Sequence, residues 1–389
     1  MGCVVMSQRL RAMQVMDDTK AAAAKGVSII EIFGSPTLVM PEHVQHAIRE
    51  AAEKTFVRDT RGSMDLRETI AIHLKNEYGV QADPTREILI THGAMHGLGV
   101  TFRALLEPGD EVIVPSPTFF FDSSIRQTGA LPIYVHALPS EGWRWDMNQF
   151  SKAMSSKTRA ILVCNPTNPT AYVPSRTEVE TLIKWAKENN LIVIADEAYA
   201  RYVYDGTVFT PQMIFRNLYD NLVTVTSLTK NYAFGNWRVG YINAPEALLS
   251  QIHRQFEWDA LDVGPVPQAA AKAVIGGPQS WIEPIMATYQ PNRDRLMSAL
   301  KELGLPIVRP AGGPFAFVDF TVLGLGSREL EAHLLAHGIP AVAGDAFNGP
   351  DTYARIMFGG SENEIGKLIK ALTDIATKSD NKNATREVR

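Results

Sequence analysis

The segment Pro174–Tyr199, PSRTEVETLIKWAKENNLIVIADEAY, contains the pattern that decides the fold class. After the helix start signal Pro174-Ser175, four apolar residues recur at the spacing of one helix face: Val179, Leu182, Ile183 and Ala186. The next run, Leu191–Ala195, is continuously apolar, as expected for a strand that is covered on both faces. The segment therefore predicts an amphipathic helix over 176–190 that leads into a buried strand over 191–196.

The same alternation of strands and helices extends from about residue 85 to residue 245. The other predicted strands are short, β-branched runs: Ile88–Thr91, Val112–Val114, Ile133–Val135, Ala160–Val163, Leu222–Thr226 and Arg238–Ile242. Strands that alternate with helices pair in parallel, and the helices then cover both faces of the sheet. We therefore predict an α/β fold with a mainly parallel, seven-stranded sheet sandwiched by helices.

The pattern changes after Gly276-Gly277-Pro278. A long helical segment over about 281–303 precedes a strand near 318–321, a helix near 328–337, a strand near 355–358 and a last helix near 362–377. This mixture is typical of a smaller α+β domain. We predict a segment over 1–40 that contributes to the small domain and the site entrance, a large domain over 41–278 and a small domain over 279–389.

Composition and charge exclude several classes of protein. The chain has 389 residues, 45 % hydrophobic and 21 % charged, which is typical of a globular fold. Its 38 basic and 42 acidic residues give a formal charge of −4, which offers no electrostatic basis for binding nucleic acid. No apolar run reaches the ~18 residues of a membrane helix, and two cysteines cannot form a disulfide framework. We expect a cytoplasmic enzyme.

Several catalytic motifs are missing or incomplete. No phosphate-binding G-x-x-x-x-G-K-[ST] motif and no G-x-S-x-G nucleophile elbow is present. Gly324-Leu325-Gly326 lacks the third glycine of a dinucleotide fingerprint, because Glu329 occupies that place. The histidine pairs His92/His96 and His333/His337 lack the glutamate of the metalloprotease helix. We therefore predict no metal site.

The segments that follow five of the strands carry the unusual residues. In an open parallel sheet, ligands bind beyond the carboxyl ends of the strands. Those ends lead into His92–Met95, Pro115–Phe121, Cys164–Thr170, Asp196–Tyr199 and Ser227–Lys230. Together with Arg238 they offer helix-start amides, an aromatic face, an amide, a carboxylate, a phenol, hydroxyls and a lysine. This inventory suits a flat, cationic aromatic ring that bears a phosphate arm and an aldehyde.

Five of these segments also resemble a known family in order and spacing. They are THGAMHGL (91–98), PSPTFFF (115–121), NPTNPT (165–170), DEAYARYVYDG (196–206) and SLTKNYAFGNWRVGY (227–241). The chain resembles the class I/II aminotransferases, which are fold-type I enzymes dependent on pyridoxal 5′-phosphate (PLP), over nearly its whole length. The resemblance implies an aminotransferase that acts on an amino acid and a 2-oxo acid, and a homodimer with the site at the subunit interface.

The resemblance also assigns roles to individual residues. Lys230 would form the Schiff base and move the proton, Asp196 would pair with the pyridinium, and Tyr199 would act with Asn168 on the phenolic oxygen of the ring. Arg355 would bind the substrate α-carboxylate, and Gly34 would lie over the site. The remaining cofactor contacts would be Phe119 on the ring face and, at the phosphate, Gly93, Ala94, Met95, Ser227, Thr229 and Arg238.

Three positions depart from the family pattern. Val57 stands where many members supply a tyrosine to the phosphate of the neighbouring subunit, and Asn236 replaces a usual glycine. Ala94 stands where aspartate-using members of one branch carry a lysine, which disfavours aspartate as the donor, and the many aromatic residues near the site favour a bulky side chain. The alternative is a PLP-dependent lyase, cyclase or other biosynthetic enzyme that uses the same carbanion chemistry. A cofactor-free regulatory or sugar-binding relative is a third possibility, and Lys230 argues against it.

Overall fold

The computed structural model describes residues 9–32, 40–53, 59–233 and 237–387, with side chains up to residue 377. The helices are α1 (Arg11–Ala24), α2 (Glu42–Glu53), α3 (Met64–Tyr78), α4 (Ala94–Leu105), α5 (Asp122–Arg126), α6 (Met147–Ala153), α7 (Arg176–Glu188), α8 (Leu228–Asn231), α9 (Glu246–Asp259), α10 (Pro265–Gly276), α11 (Glu283–Glu302), α12 (Ser327–Ala336) and α13 (Glu362–Glu387). The strands are β1 (Ile88–Thr91), β2 (Glu111–Ser116), β3 (Leu131–His136), β4 (Thr158–Cys164), β5 (Ile192–Asp196), β6 (Leu222–Ser227), β7 (Gly240–Asn243), β8 (Phe315–Asp319), β9 (Val342–Ala343) and β10 (Tyr353–Met357).

Seven strands form one sheet in the order β1-β7-β6-β5-β4-β2-β3. The neighbours from β3 to β6 pair in parallel, whereas β7 is antiparallel to both β6 and β1. Each of the seven strands overlaps a predicted one, so the prediction of an α/β fold with a mainly parallel, seven-stranded sheet is confirmed.

Helix α7 shows why the local sequence specifies its element. The Ser175 side chain accepts a hydrogen bond from the Glu178 amide, and the Glu178 carboxylate accepts one from the Ser175 amide. This capping box contributes about 1 kcal/mol and defines the first turn. The predicted apolar face is buried against the sheet, together with Trp185. The predicted helix over 176–190 therefore forms, and it ends at Glu188.

The C-terminal part contains a second, three-stranded antiparallel sheet in the order β8-β10-β9. The predicted strand near 318–321 lies earlier, at Phe315–Asp319, because the apolar residues that pair with β10 begin at Phe315. Helix α13 continues beyond the predicted end at 377 to Glu387. The continuation is polar, so apolar periodicity could not reveal it.

The two largest apolar cores lie side by side. One surrounds the seven-stranded sheet, and the other contains the apolar faces of α11, α12 and α13, the small sheet and Ile30 and Ile32. The segment after β5 reaches into the second core through Tyr199, Tyr202 and Tyr204. Among the described residues, no helix combines the length and the apolar composition needed to cross a lipid bilayer.

Backbone and charged contacts join the two cores close to the ends of β4 and β5. The amides of Ala311 and Gly312 donate to the carbonyl of Ala171, and the Gly313 amide donates to the carbonyl of Tyr202. The buried guanidinium of Arg293 on α11 binds both carboxylate oxygens of Asp205, at 2.8 and 2.9 Å. These contacts hold the small sheet, and with it Arg355 on β10, against the edge of the large sheet.

Candidate active site

The carboxyl ends of the parallel strands lie at one edge of the large sheet. In the register of the sheet, Cys164 at the end of β4 pairs with Asp196 at the end of β5, and Asp196 pairs with Val225 of β6. Neighbouring strands are about 4.8 Å apart, so the segments that begin at Asn165, Asp196 and Ser227 start side by side. The sheet alone thus brings together three of the predicted site segments.

Lys230 lies on α8, directly after β6. Its side chain is accessible to solvent, and the charges of Arg355, Arg238 and Asp196 act on it. Partial desolvation by the surrounding protein lowers the pKa of Lys230 below its usual value, and the positive charges of Arg355 and Arg238 lower it further, whereas Asp196 raises it. The amine therefore releases its proton more readily than a surface lysine, as a catalytic base or nucleophile must.

Asp196 is a buried carboxyl group that accepts a hydrogen bond from the backbone of its own segment. It is 5 % exposed, and its Oδ1 accepts a bond of 3.1 Å from the Ala198 amide. Burial raises the pKa of Asp196 to about 7, although the Ala198 bond and the Lys230 charge oppose the rise. A positively charged group placed against this carboxyl would favour its ionised form. The site is thus chemically suited to a cationic ring nitrogen.

Asn168 and Arg355 meet although they are far apart in the chain. Arg355 donates a hydrogen bond of 3.1 Å from Nη1 to Oδ1 of Asn168, and both side chains are buried. Within the described part of the chain, Arg355 Nε and Asn168 Nδ2 have no partner. Buried donors without partners are costly, so each is suited to an acceptor supplied by a ligand.

Two phenylalanines flank the guanidinium of Arg355. Its Cζ lies 5.1 Å from the ring centroid of Phe347 and 5.9 Å from that of Phe315. Contacts of this kind hold a guanidinium in one plane and exclude water from it. Sequence reasoning missed both rings. They come from separate elements, and no local pattern distinguishes them from ordinary core residues.

Hydrogen-bond donors that suit an anion come together at the start of α4. Gly93, with φ of 80°, precedes the helix, and its own amide donates to the Thr91 carbonyl at 2.8 Å. The amides of Ala94 and Met95 are in the first turn, where a helix supplies no acceptor. A Cβ atom at Gly93 would lie 3.1 Å from Nη2 of Arg238, which places that guanidinium against the helix start.

The structure places the other predicted residues as follows. Ser227 and Thr229 are buried at the end of β6 and in α8, and Thr229 Oγ1 has no partner among the described residues. Tyr199 is buried, and its ring meets Phe315 edge-on at 5.2 Å. Phe119 is half-buried beyond β2, with its ring 4.8 Å from that of Phe120. Gly34, Val57 and Asn236 lie outside the described residues.

Glu197, the neighbour of Asp196, is bound to the segment around Gln212. Its Oε1 accepts a bond of 2.9 Å from the Gln212 amide, and burial raises its pKa to about 8. Within the described residues, no group of three or more histidine, cysteine, aspartate or glutamate side chains is placed to bind a metal ion.

Known proteins share this architecture over most of the chain. The sequence profile of the family "Aminotransferase class I and II" matches residues 32–372. An aspartate aminotransferase of Pyrococcus abyssi is 29 % identical, over 91 % of this chain and 94 % of the relative. An aromatic-amino-acid aminotransferase of Thermococcus litoralis is 28 % identical, over 84 % of this chain and 85 % of the relative.

Solved structures agree with the sequence matches. A crystal structure of a double mutant of the Thermus thermophilus aspartate aminotransferase superposes with a TM-score of 0.89, at 27 % identity, covering 96 % of this chain and all of that one (100 %). The resemblance noted in the sequence is thereby confirmed: this chain belongs to the class I and II aminotransferases, with the fold of the type I enzymes.

Proposed function

We propose that this aminotransferase depends on PLP, with Lys230 as the residue that tethers the cofactor, and that it moves an amino group between an amino acid and a 2-oxo acid. One observation carries the proposal. A buried carboxyl group suited to a cationic partner, Asp196, lies close enough to a lysine with a lowered pKa, Lys230, for the two charges to interact.

The donor set fits the parts of PLP one by one. Asp196 would face the ring nitrogen, and the unpartnered Nδ2 of Asn168, together with Tyr199, would face the phenolic oxygen. The α4 amides, Arg238, Ser227 and Thr229 would bind the phosphate, and Phe119 would cover a ring face. PLP, when bound, supplies an electron sink that stabilises negative charge at the substrate α-carbon.

The chain's own residues then perform three tasks. Arg355 binds the substrate α-carboxylate through its free Nε and fixes its plane, because Asn168 and the flanking rings hold the guanidinium. Asp196 would carry a negative charge once a cationic ring nitrogen lies against it. Lys230 Nζ, whose pKa is lowered by its surroundings, takes the proton from the substrate α-carbon and later gives it up again.

We propose that the substrate side chain is apolar and bulky, with aromatic amino acids as the first class to test. In support, a row of aromatic rings leads from the ring-covering position to the carboxylate site. Phe119 contacts Phe120 at 4.8 Å, Phe120 stacks on Phe347 at 4.9 Å, and Phe347 covers Arg355. A second carboxylate would gain little beside these rings, since burying a charge without a partner is unfavourable.

We also propose the domain boundaries predicted from the sequence, 1–40, 41–278 and 279–389, a cytoplasmic location and a homodimer. The end of α9 and the loop after it support the homodimer. Trp258 on α9 is 89 % exposed, Leu261 follows in the loop, and the loop continues into a groove of about 650 Å³ between α2, α3 and α10. An apolar surface of this kind is typical of an interface. Sedimentation of the purified enzyme should show twice the mass of the chain.

The proposed chemistry is tested by a half-reaction. We expect the PLP-loaded enzyme, mixed with one amino acid and no acceptor, to convert its absorbance to that of the pyridoxamine form in one turnover. Borohydride should fix the cofactor to the peptide that contains Lys230. Lys230→Ala should lose both signals, whereas Lys184→Ala, at an exposed ion pair on α7, should keep them. Release of ammonia without an acceptor would indicate a lyase instead.

A further inference from the structure

The helix that carries Lys230 cannot hold its own shape. Helix α8 has 4 residues, Leu228–Asn231, far fewer than the ~12 that an isolated helix needs. Directly after the helix, the Tyr232 amide donates to the Leu228 carbonyl at 3.1 Å and the Ala233 amide donates to the Lys230 carbonyl at 3.2 Å. So short a helix also needs contacts with other parts of the chain to fix the position of Lys230.

The segment directly after Tyr199 supplies those contacts. The Tyr202 hydroxyl donates a hydrogen bond of 3.0 Å to the carbonyl oxygen of Lys230 itself. The Arg201 amide donates to Oδ1 of Asn231 at 3.2 Å, and the Arg201 guanidinium lies 4.7 Å from the ring centroid of Tyr232. The two residues thus bind α8 at its backbone, at a side chain and at the residue that follows it.

Tyr202 is itself rigidly placed. It is 4 % exposed, its amide donates to the Tyr199 carbonyl at 2.9 Å, and its ring meets that of Tyr199 edge-on at 5.8 Å. On the other side its ring meets Tyr289 of α11 edge-on at 5.0 Å. Burial raises the pKa of Tyr202 well above its usual value, so the hydroxyl keeps its proton and remains a donor.

We propose that Tyr202 is a positioning residue for the reaction. By its hydrogen bond to the Lys230 carbonyl, it fixes the position of the lysine relative to Tyr199. The inference rests on the proposed role of Lys230 as the tethering and proton-moving lysine. The hydroxyl binds the backbone of Lys230 and not its amine, so its removal should change the rate of proton transfer and the environment of the lysine rather than the binding of the substrate.

Tyr202→Phe removes the hydroxyl and keeps the ring. Tyr204→Phe is the matched control, because Tyr204 is also 4 % exposed and its hydroxyl also donates to a backbone carbonyl, that of Gly313 at 2.8 Å. With PLP-loaded enzymes, we expect Tyr202→Phe to lower kcat about fivefold, as for the loss of one neutral hydrogen bond, with KM unchanged within about twofold. In a pH titration, Tyr202→Phe should also shift the midpoint of the change in absorbance of the bound cofactor. Tyr204→Phe should leave kcat, KM and this midpoint as in the wild type.

Two results would overturn the inference: wild-type kcat and pH titration in Tyr202→Phe, or equal changes in both variants, since a purely structural role would affect both alike. Borohydride labelling separates this inference from the proposed function. A label on Lys230 in wild type and in Tyr202→Phe, combined with unchanged kinetics, would refute only the positioning role. A label on another residue in the wild-type enzyme would refute both.

Discussion

Replacing Arg355 by lysine should weaken the recognition of a substrate carboxylate while leaving the rest of the site in place. Lysine keeps the positive charge, but it offers a point charge in place of a planar group with several donors. In the structure, Nη1 of Arg355 already donates to Asn168, and Nε is without a partner among the described residues. A lysine could donate well to Asn168 or to the substrate carboxylate, but not to both with the same geometry.

The contacts give the size of the effect. Loss of one hydrogen bond to a charged group costs about 2 kcal/mol, and loss of the contacts with Phe347 and Phe315 adds about 1 kcal/mol. The sum of about 3 kcal/mol corresponds to about a hundredfold decrease in kcat/KM. Because the carboxylate is bound in both ground and transition states, most of the decrease should appear as a higher KM.

The assay compares an amino acid with the amine that lacks its carboxylate. Single-turnover absorbance gives kcat/KM from the dependence of the rate on substrate concentration. In Arg355→Lys, kcat/KM should fall about a hundredfold for the amino acid and change by less than about threefold for the amine. Arg144→Lys, in an exposed ion pair with Glu178, is the control for the substitution itself and should behave as wild type. If Arg355→Lys slowed both substrates equally, Arg355 would not be the carboxylate site.

Three further predictions concern Asp196, its neighbour Glu197, and Gly240. Asp196→Asn keeps the shape but removes the charge, so kcat should fall about a hundredfold or more in steady-state assays while the thermal unfolding temperature of the apoenzyme does not fall. Burial raises the pKa of Glu197 from 4.5 to about 8, so its contribution to stability is complete below pH 4.5 and is lost as the pH rises through 8. In denaturant titrations of the apoenzyme, the free energy of unfolding should therefore fall by about 4 kcal/mol more in the wild type than in Glu197→Gln between about pH 5 and 8.5. An equal pH dependence of the two proteins would contradict this. Gly240→Ala would place a methyl group 2.5 Å from the Thr226 carbonyl and 2.9 Å from the Gly93 carbonyl carbon, so cofactor titrations should show at least about tenfold weaker binding.

Local sequence was sufficient to predict the large sheet and most of its site segments. The apolar runs before Asn165, Asp196 and Ser227 are short, β-branched and separated by helices, which is enough to predict parallel strands. Once the strands are parallel, their carboxyl ends share one edge, and the polar residues beyond them must lie near each other. The grouping of Lys230 with Asp196 follows from this rule and from the family resemblance.

Other features could not be read from local sequence. Strand β7 runs antiparallel between β1 and β6, although its composition is that of its parallel neighbours. The end of α13 was also missed, because its last part has no apolar face. For β7 the deciding factor is its pairing with strands that are distant in the sequence.

What the sequence by itself determined is the set of elements, their order along the chain and the chemical groups at the strand ends, because periodicity and turn residues act between near neighbours. Only the tertiary structure decided that Arg355 meets Asn168 across 187 residues, that Phe315 and Phe347 flank its guanidinium, and that Tyr202 binds the carbonyl of Lys230. These contacts depend on how the second core packs against the edge of the large sheet. Packing of that kind is a property of the whole chain, since each contact forms only where many buried side chains fit together.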